Sequence, residues 1–175
     1  MISRPSENEY VSYYSKYISL VPESDILSVL AMQIDDVAQL VKSVRPEQET
    51  YRYAPNKWSI REVLGHVIDV ERVFGYRAFC ISRGEISPLP TYDDNVYVAQ
   101  SNYSERRLQD LLAESSLVRK SNLEVLCQLN DKQWIRMGTA NNNPISVRAL
   151  SFIMAGHVRH HINVLHTSYK LSAGA

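Results

Sequence analysis

Apolar residues recur along most of this chain at spacings of three and four, the period of an α-helix that turns one face to a core. Leu27, Leu30, Ile34, Val37, Val41 and Val44 form the first such seam and predict a helix from about Ser24 to Val44, stopped by Pro46. A second helix has the best start signal in the chain. Ser59 and Glu62 stand at capping-box spacing, and Trp58 and Val63 occupy the positions of a hydrophobic staple. It runs to about Arg83, where Gly84 supplies a C-terminal stop. A third helix is expected from Ser104 to about Leu129. A fourth begins between Pro144 and Val147 and reaches about Tyr169.

Four amphipathic helices of similar length make an all-α four-helix bundle, here one domain spanning residues 1–175. The link from Glu85 to Tyr103 is long enough, at roughly 60 Å extended, to cross the full length of the bundle. Helices two and three can therefore run parallel, in an up-down-down-up order. Tyr10, Tyr13, Tyr14 and Tyr17 recur at helical spacing before the first long helix and predict a short extra helix clamped on the bundle. The run Asn141 to Asn143 reads as a loop.

The composition narrows the function. Nineteen basic and nineteen acidic residues cancel, without a run of like charge, so no nucleic-acid partner is expected. No apolar stretch approaches the roughly 20 residues that span a bilayer, and Met1 to Glu9 carries no signal-like apolar core, so a cytoplasmic protein is expected. Cys80 and Cys127 form no metal or disulfide motif and are expected to pack as small hydrophobes.

Histidine changes the picture. Of five, four fall in the stretch GHVRHHINVLH. The inward seam of the fourth helix reads Val147, Leu150, Met154, His157, His161, which sets two imidazoles one turn apart on one face. Such a pair binds one transition-metal ion, and His66, on the apolar arc of the second helix, is the remaining histidine able to join it. The alternative is a set of core histidines satisfied by polar neighbours. His160 and His166 lie off the seam.

Three stretches, KWSIREVLGHVIDVERVFGYRAFCISRG, TYDDNVY and SVRALSFIMAGHVRHHINVL, together resemble the DinB/YfiT-like superfamily. The resemblance covers about Pro55 to Leu165. It implies His66, His157 and His161 as ligands to nickel or zinc, and a homodimer as a common assembly. On reaction it implies less: some relatives are thiol S-transferases using a low-molecular-weight thiol, others metal-dependent hydrolases or isomerases.

Two charged residues interrupt apolar seams. Glu71 breaks Ile60, Leu64, Val67, Phe74, Ala78, and Arg119 breaks Leu108, Leu112, Leu126, Leu129, with Ser115 and Asn122 beside it. Buried alone, each would cost several kcal/mol, so they are expected to pair, either as a structural ion pair or beside the metal as substrate contacts. Glu71 and His160 are the weak candidates for a general base. Tyr92, Asp93 and Asp94 either edge the mouth of the site or serve turn and capping chemistry. The expected protein is a metal-dependent enzyme that activates a thiol or water toward a small molecule. The alternative is a non-catalytic bundle stabilised by its metal.

Overall fold

The computed structural model describes residues 2–171. Four long helices dominate it: α2 (Ile26–Ser43), α3 (Ile60–Ser82), α5 (Leu108–Leu126) and α7 (Val147–Thr167), with single-turn α1 (Ser15–Ile18) and α6 (Asp131–Trp134) and the short α4 (Asp94–Gln100) between them. Their starts follow local chemistry. The Asp25 carboxylate accepts from the Ser28 amide at α2, and the Ser59/Glu62 capping box forms at α3. At α7 the Ser146 hydroxyl accepts from the Ala149 amide at 3.0 Å. The third long helix starts at Leu108 rather than Ser104, because Tyr103–Glu105 winds into a separate 3-10 turn and Arg106 and Arg107 are extended.

Side-chain partners give the directions. Trp58 meets Tyr169 and His66 meets His157, so α3 and α7 are antiparallel. Arg61 reaches the Ser104 carbonyl and Arg119 reaches Glu71, so α3 and α5 are parallel. Gln33 bonds the Ala155 carbonyl while Leu40 lies beside Ile162 and His166 further along, so α2 and α7 are parallel. The bundle is up-down-down-up.

Two features escaped the hydrophobic pattern. The long crossover contains α4, and β1 (Met137–Ala140) pairs antiparallel with β2 (Asn143–Ser146) where a plain loop was expected. Asn141 and Asn142 both take positive φ, 53° and 59°, the backbone of a two-residue hairpin turn that asparagine tolerates. The hairpin anchors the crossover, since the Leu89 amide donates to the Thr139 carbonyl at 2.8 Å.

The tyrosine-rich segment forms a 3-10 turn (Ser12–Tyr14) and then α1, instead of one helix carrying all four rings. Tyr14 and Tyr17 are buried, while Tyr13 is exposed. The preceding residues are strapped to the start of α7: Glu9 accepts from the Ser146 hydroxyl and pairs with Arg148. Burial raises the Glu9 pKa, but the hydrogen bonds from Arg148 and Ser146 outweigh it and bring the value to about 2. Of the two cysteines, Cys80 packs against the core as expected and Cys127 does not. Cys80 is half-buried, and Cys127, at the end of α5 where the helix turns to solvent, is exposed.

Between the long helices sits one buried polar network. Arg119 donates to both Glu71 oxygens at 2.9 and 2.8 Å, and its remaining nitrogen donates to the Leu30 carbonyl and to Gln33 Oε1, each at 2.9 Å. Asn122 donates to Glu71 Oε1 at 2.8 Å, and Gln33 donates to the Ala155 carbonyl at 2.8 Å. Every long helix contributes an atom. Replacing Arg119→Met alone should destabilise the fold by about 3–5 kcal/mol, because it strands a buried carboxylate. The matched double variant Glu71→Leu/Arg119→Met should recover part of that loss. A double-mutant cycle by urea denaturation is expected to show a coupling of roughly 0.5–3 kcal/mol, and additive effects would mean that the pair is not energetically linked.

Candidate metal centre

His66 on α3 faces His157 and His161 on α7, and the ligand-capable atoms of all three lie within 4.8 Å of one another. The Nε2 atoms of His66 and His161 are each 3.1 Å from Nε2 of His157. A tetrahedral ion with metal–nitrogen bonds of 2.0–2.1 Å holds its neighbouring ligand atoms about 3.3 Å apart, so these spacings suit one ion. They suit little else. Three converging ring nitrogens cannot all be satisfied by each other's protons, and His161 Nδ1, on the opposite edge of its ring, is buried with no partner.

The surroundings keep the rings neutral, as ligands must be. Burial holds His66 down to about 4, with the Asp94 carboxylate opposing that shift and His160 adding to it. Burial likewise pushes His157 and His161 well below the usual range, each helped by the neighbouring imidazoles. The Trp58 ring lies over His66 with centroids 4.6 Å apart, and the Tyr17 ring meets His157 edge-on at 5.4 Å.

Two glycines beside the cluster let Tyr103 and the Tyr17 backbone pack closely. A Cβ on Gly65, just before His66, would stand 2.2 Å from the Tyr103 ring, and one on Gly156, just before His157, would stand 2.0 Å from the Tyr17 carbonyl. The Tyr17 turn thus covers His157 by packing on bare backbone, and Tyr103 packs on α3 beside His66 in the same way.

The structure sorts the remaining sequence candidates. Asp93 caps α4, accepting from the Asn95 and Val96 amides. Asp94 is different. Its Oδ1 is buried without a hydrogen bond and lies 3.9 Å from His66 Nδ1, on the side of the ring away from His157. His160 sits half-buried beside His161, ring centroids 5.0 Å apart, and burial, then Lys16, lowers its pKa. His166 donates from Nδ1 to the Leu171 carbonyl at 3.0 Å, away from the cluster. Glu71 and Arg119 are fully engaged with each other and line a cavity of only about 10 Å³, not the spaces beside the histidines.

Two larger cavities touch the cluster. One, of about 160 Å³, is lined by Tyr14, Tyr17, Phe74, Arg77, Asp94 and His157 among others. The other, of about 300 Å³, runs past Tyr53, Lys57, Trp58, His160, His161 and Tyr169. Arg77 and Trp58 are site neighbours that the sequence does not single out: Arg77 belongs to no motif, and Trp58 stands at a helix-staple position.

A model of the DinB superfamily matches residues 30–165, which include the whole histidine cluster. The chain belongs to the DinB superfamily. Among solved structures it is similar to YfiT from Bacillus subtilis, described as "a probable metal-dependent hydrolase with an unusual four-helix bundle topology", at 20% identity and a TM-score of 0.73, covering 98% of this chain and 92% of that one. It is also similar to a DinB-like protein from Bacillus subtilis at 17% identity and a TM-score of 0.58, covering 84% and 91%. No curated protein sequence matches. Among the described residues no helix is long and apolar enough to cross a membrane.

Two outcomes are expected from this centre. His66→Ala, His157→Ala and His161→Ala should each lose most bound metal by elemental analysis, while His160→Ala keeps it. Metal retained at full stoichiometry in all three would reject the ligand set. The second outcome concerns acid. Unfolded imidazoles protonate near 6.5, whereas folded His66 resists down to about 4, so between those values the unfolded chain binds more protons. The stabilisation is complete above about pH 6.5 and is lost as pH falls toward 4. The melting temperature of the metal-free protein should drop across that window. Added zinc or nickel should raise it at pH 7.5 by an increment that shrinks toward pH 5. A metal-free melting curve flat from pH 7.5 to 5 would contradict buried neutral rings.

Proposed function

We propose that this chain is a metal-dependent enzyme in which His66, His157 and His161 hold one divalent transition-metal ion, zinc or nickel, that activates a water or a thiol toward a small-molecule electrophile. One observation carries the reading. The ligand set has three side chains, no fourth histidine, cysteine or acid among the described residues joins it, and two cavities open against it. Structural zinc sites are usually closed by four protein ligands; three ligands and an open position mark reactive ones. When bound, such an ion acts as a Lewis acid that makes a nucleophile of water or thiol at neutral pH.

The chain's own residues divide the remaining work. Asp94 sets a carboxylate 3.9 Å from His66 Nδ1, Trp58 and Tyr17 wall the rings from bulk water, and His160 offers a neutral imidazole on the larger cavity, placed to take a proton from a nucleophile there. Glu71 is committed to Arg119 and Asn122 and does not serve as the base. The description of YfiT favours hydrolysis. A second cavity favours a low-molecular-weight thiol as cosubstrate, since it gives each of two reactants its own approach to the centre.

The test combines metal replacement with turnover. Cobalt-substituted protein should change its visible absorption when a small thiol or azide is added, because an open position accepts it. Ester hydrolysis or thiol–electrophile conjugation should require metal, and His160→Gln should keep the metal but lose roughly 10²-fold or more in turnover if His160 is the base. A cobalt spectrum indifferent to every added ligand, with no turnover in either assay, would leave a closed structural site and overturn the enzymatic reading.

A further inference from the structure

Arg77 lies on α3, three turns beyond His66, and is 2% exposed. Of its five N–H donors, the structure uses one, from Nη2 to the Pro90 carbonyl at 2.7 Å, and among the described residues no carboxylate forms an ion pair with it. Its guanidinium instead rests 5.5 Å from the centroids of both the Phe74 and Tyr92 rings. Burial lowers its pKa, a sign that the charge is held with less compensation than water would give. Contrast Arg119, equally buried on the neighbouring helix, whose charge is met by a bidentate carboxylate and two further acceptors. Arg77 has donors to spare.

The space beside it is the cavity of about 160 Å³ that His157 also lines. Its walls are mostly aromatic: Tyr14, Tyr17, Phe74 and Tyr92. A void of this size accommodates a single benzene-sized body, so a ligand against Arg77 also reaches the metal-facing histidine. Among the described lining residues Asp94 is the only acid; its Oδ1 lies 3.9 Å from His66 Nδ1, and it acts on Arg77 through space without forming an ion pair with it. With a divalent ion bound, the centre carries surplus positive charge. A planar monoanion fits this arrangement: a carboxylate matches the guanidinium fork in two hydrogen bonds, and an apolar body of a few carbons meets the rings. A phosphate dianion fits less well, since one cation and aromatic walls would leave half its charge unanswered.

We infer that this cavity is the substrate-recognition site of the enzyme and that it takes a small monocarboxylate, with the carboxylate on Arg77 and the rest of the molecule directed past Tyr14 and Tyr17 to the edge of His157. The inference rests on the reading of the histidine cluster as a catalytic metal centre, but it can be tested apart from it.

The experiment uses the full chain, with and without zinc, and isothermal titration with benzoate as the probe. Benzoate should bind saturably to the zinc form, and benzamide, of the same shape without the charge, should bind at least tenfold more weakly. Arg77→Gln should lose at least tenfold in benzoate affinity and erase the preference over benzamide, while zinc content is retained; Arg77→Lys should recover only part. The comparison of benzoate with benzamide uses the unaltered chain, so it stands even if an Arg77 variant fails to fold. Equal binding of the two probes, no saturable binding, or unchanged benzoate affinity in a folded Arg77→Gln would overturn the assignment, and so would inorganic phosphate displacing benzoate at comparable concentration. Zinc held by the three histidines without benzoate binding would sink the carboxylate site alone. Arg77-dependent benzoate binding in a chain that holds no zinc would instead sink the enzymatic reading and leave the carboxylate site standing.

Discussion

The buried pair of Glu71 and Arg119 is the constraint around which this bundle is arranged. Apolar seams alone would let four helices slide by a turn at little cost, since Leu, Ile and Val are nearly interchangeable as packing. A carboxylate and a guanidinium that must meet in the interior admit one alignment. Arg119 also binds the Leu30 carbonyl, and Gln33 binds the Ala155 carbonyl, so the alignment extends to α2 and α7. Glu71 stands a little over one turn beyond His66, and Ala155 stands just before the Gly156–His157 pair. Fixing the first against the second therefore fixes His66 opposite His157. Metal geometry tolerates errors of a few tenths of an ångström, and a network remote from the ion supplies that tolerance.

The parallel course of α3 and α5 has a second consequence. It requires a crossover the length of the bundle, and the chain uses that span to bring α4, Tyr92 and Asp94 against the histidines. The hairpin β1–β2 pins the start of the crossover through Leu89. Topology and chemistry are thus linked: an up-down-up-down bundle with short loops would have no segment available to cover this face.

Much of this was legible in the residues themselves. The four helices, their order and the Glu71–Arg119 pair follow from seams of period 3.6 with two charges set into them, because burial enforces that period and forbids lone charges. His157 and His161 stand out by their spacing on one such seam. Arg77 did not stand out, because an arginine on the flank of a helix reads as solvent-facing until the crossover is known to lie over it. For Asp94 turn and capping chemistry is the stronger reading of the sequence, and only the fold assigns the capping to Asp93. The hairpin was hidden because strands of four residues are too short to display alternation. α1 was overextended for the opposite reason: four tyrosines at helical spacing mimic a seam, although the backbone needed only a turn at Ser12–Tyr14 to bury two of them.

The family match begins at residue 30, yet Tyr14 and Tyr17 of the preceding segment line the cavity beside His157. That segment is joined to the bundle by the Glu9–Arg148 pair, by Arg159 on Glu23 and the Leu20 carbonyl, by the Tyr17 backbone on Gly156, and by the burial of Tyr14, Tyr17, Ile18 and Val21 in the main core. The fold thereby divides its inheritance into two parts with different freedoms. The helices that carry the three histidines answer to one another in register, whereas the leading segment answers to the groove it lies in and, through Tyr17, to His157 itself. Evolution, or a protein engineer, can recut that segment at Tyr13, which is exposed on the cavity wall, whereas a change at Tyr17 reaches His157 as well.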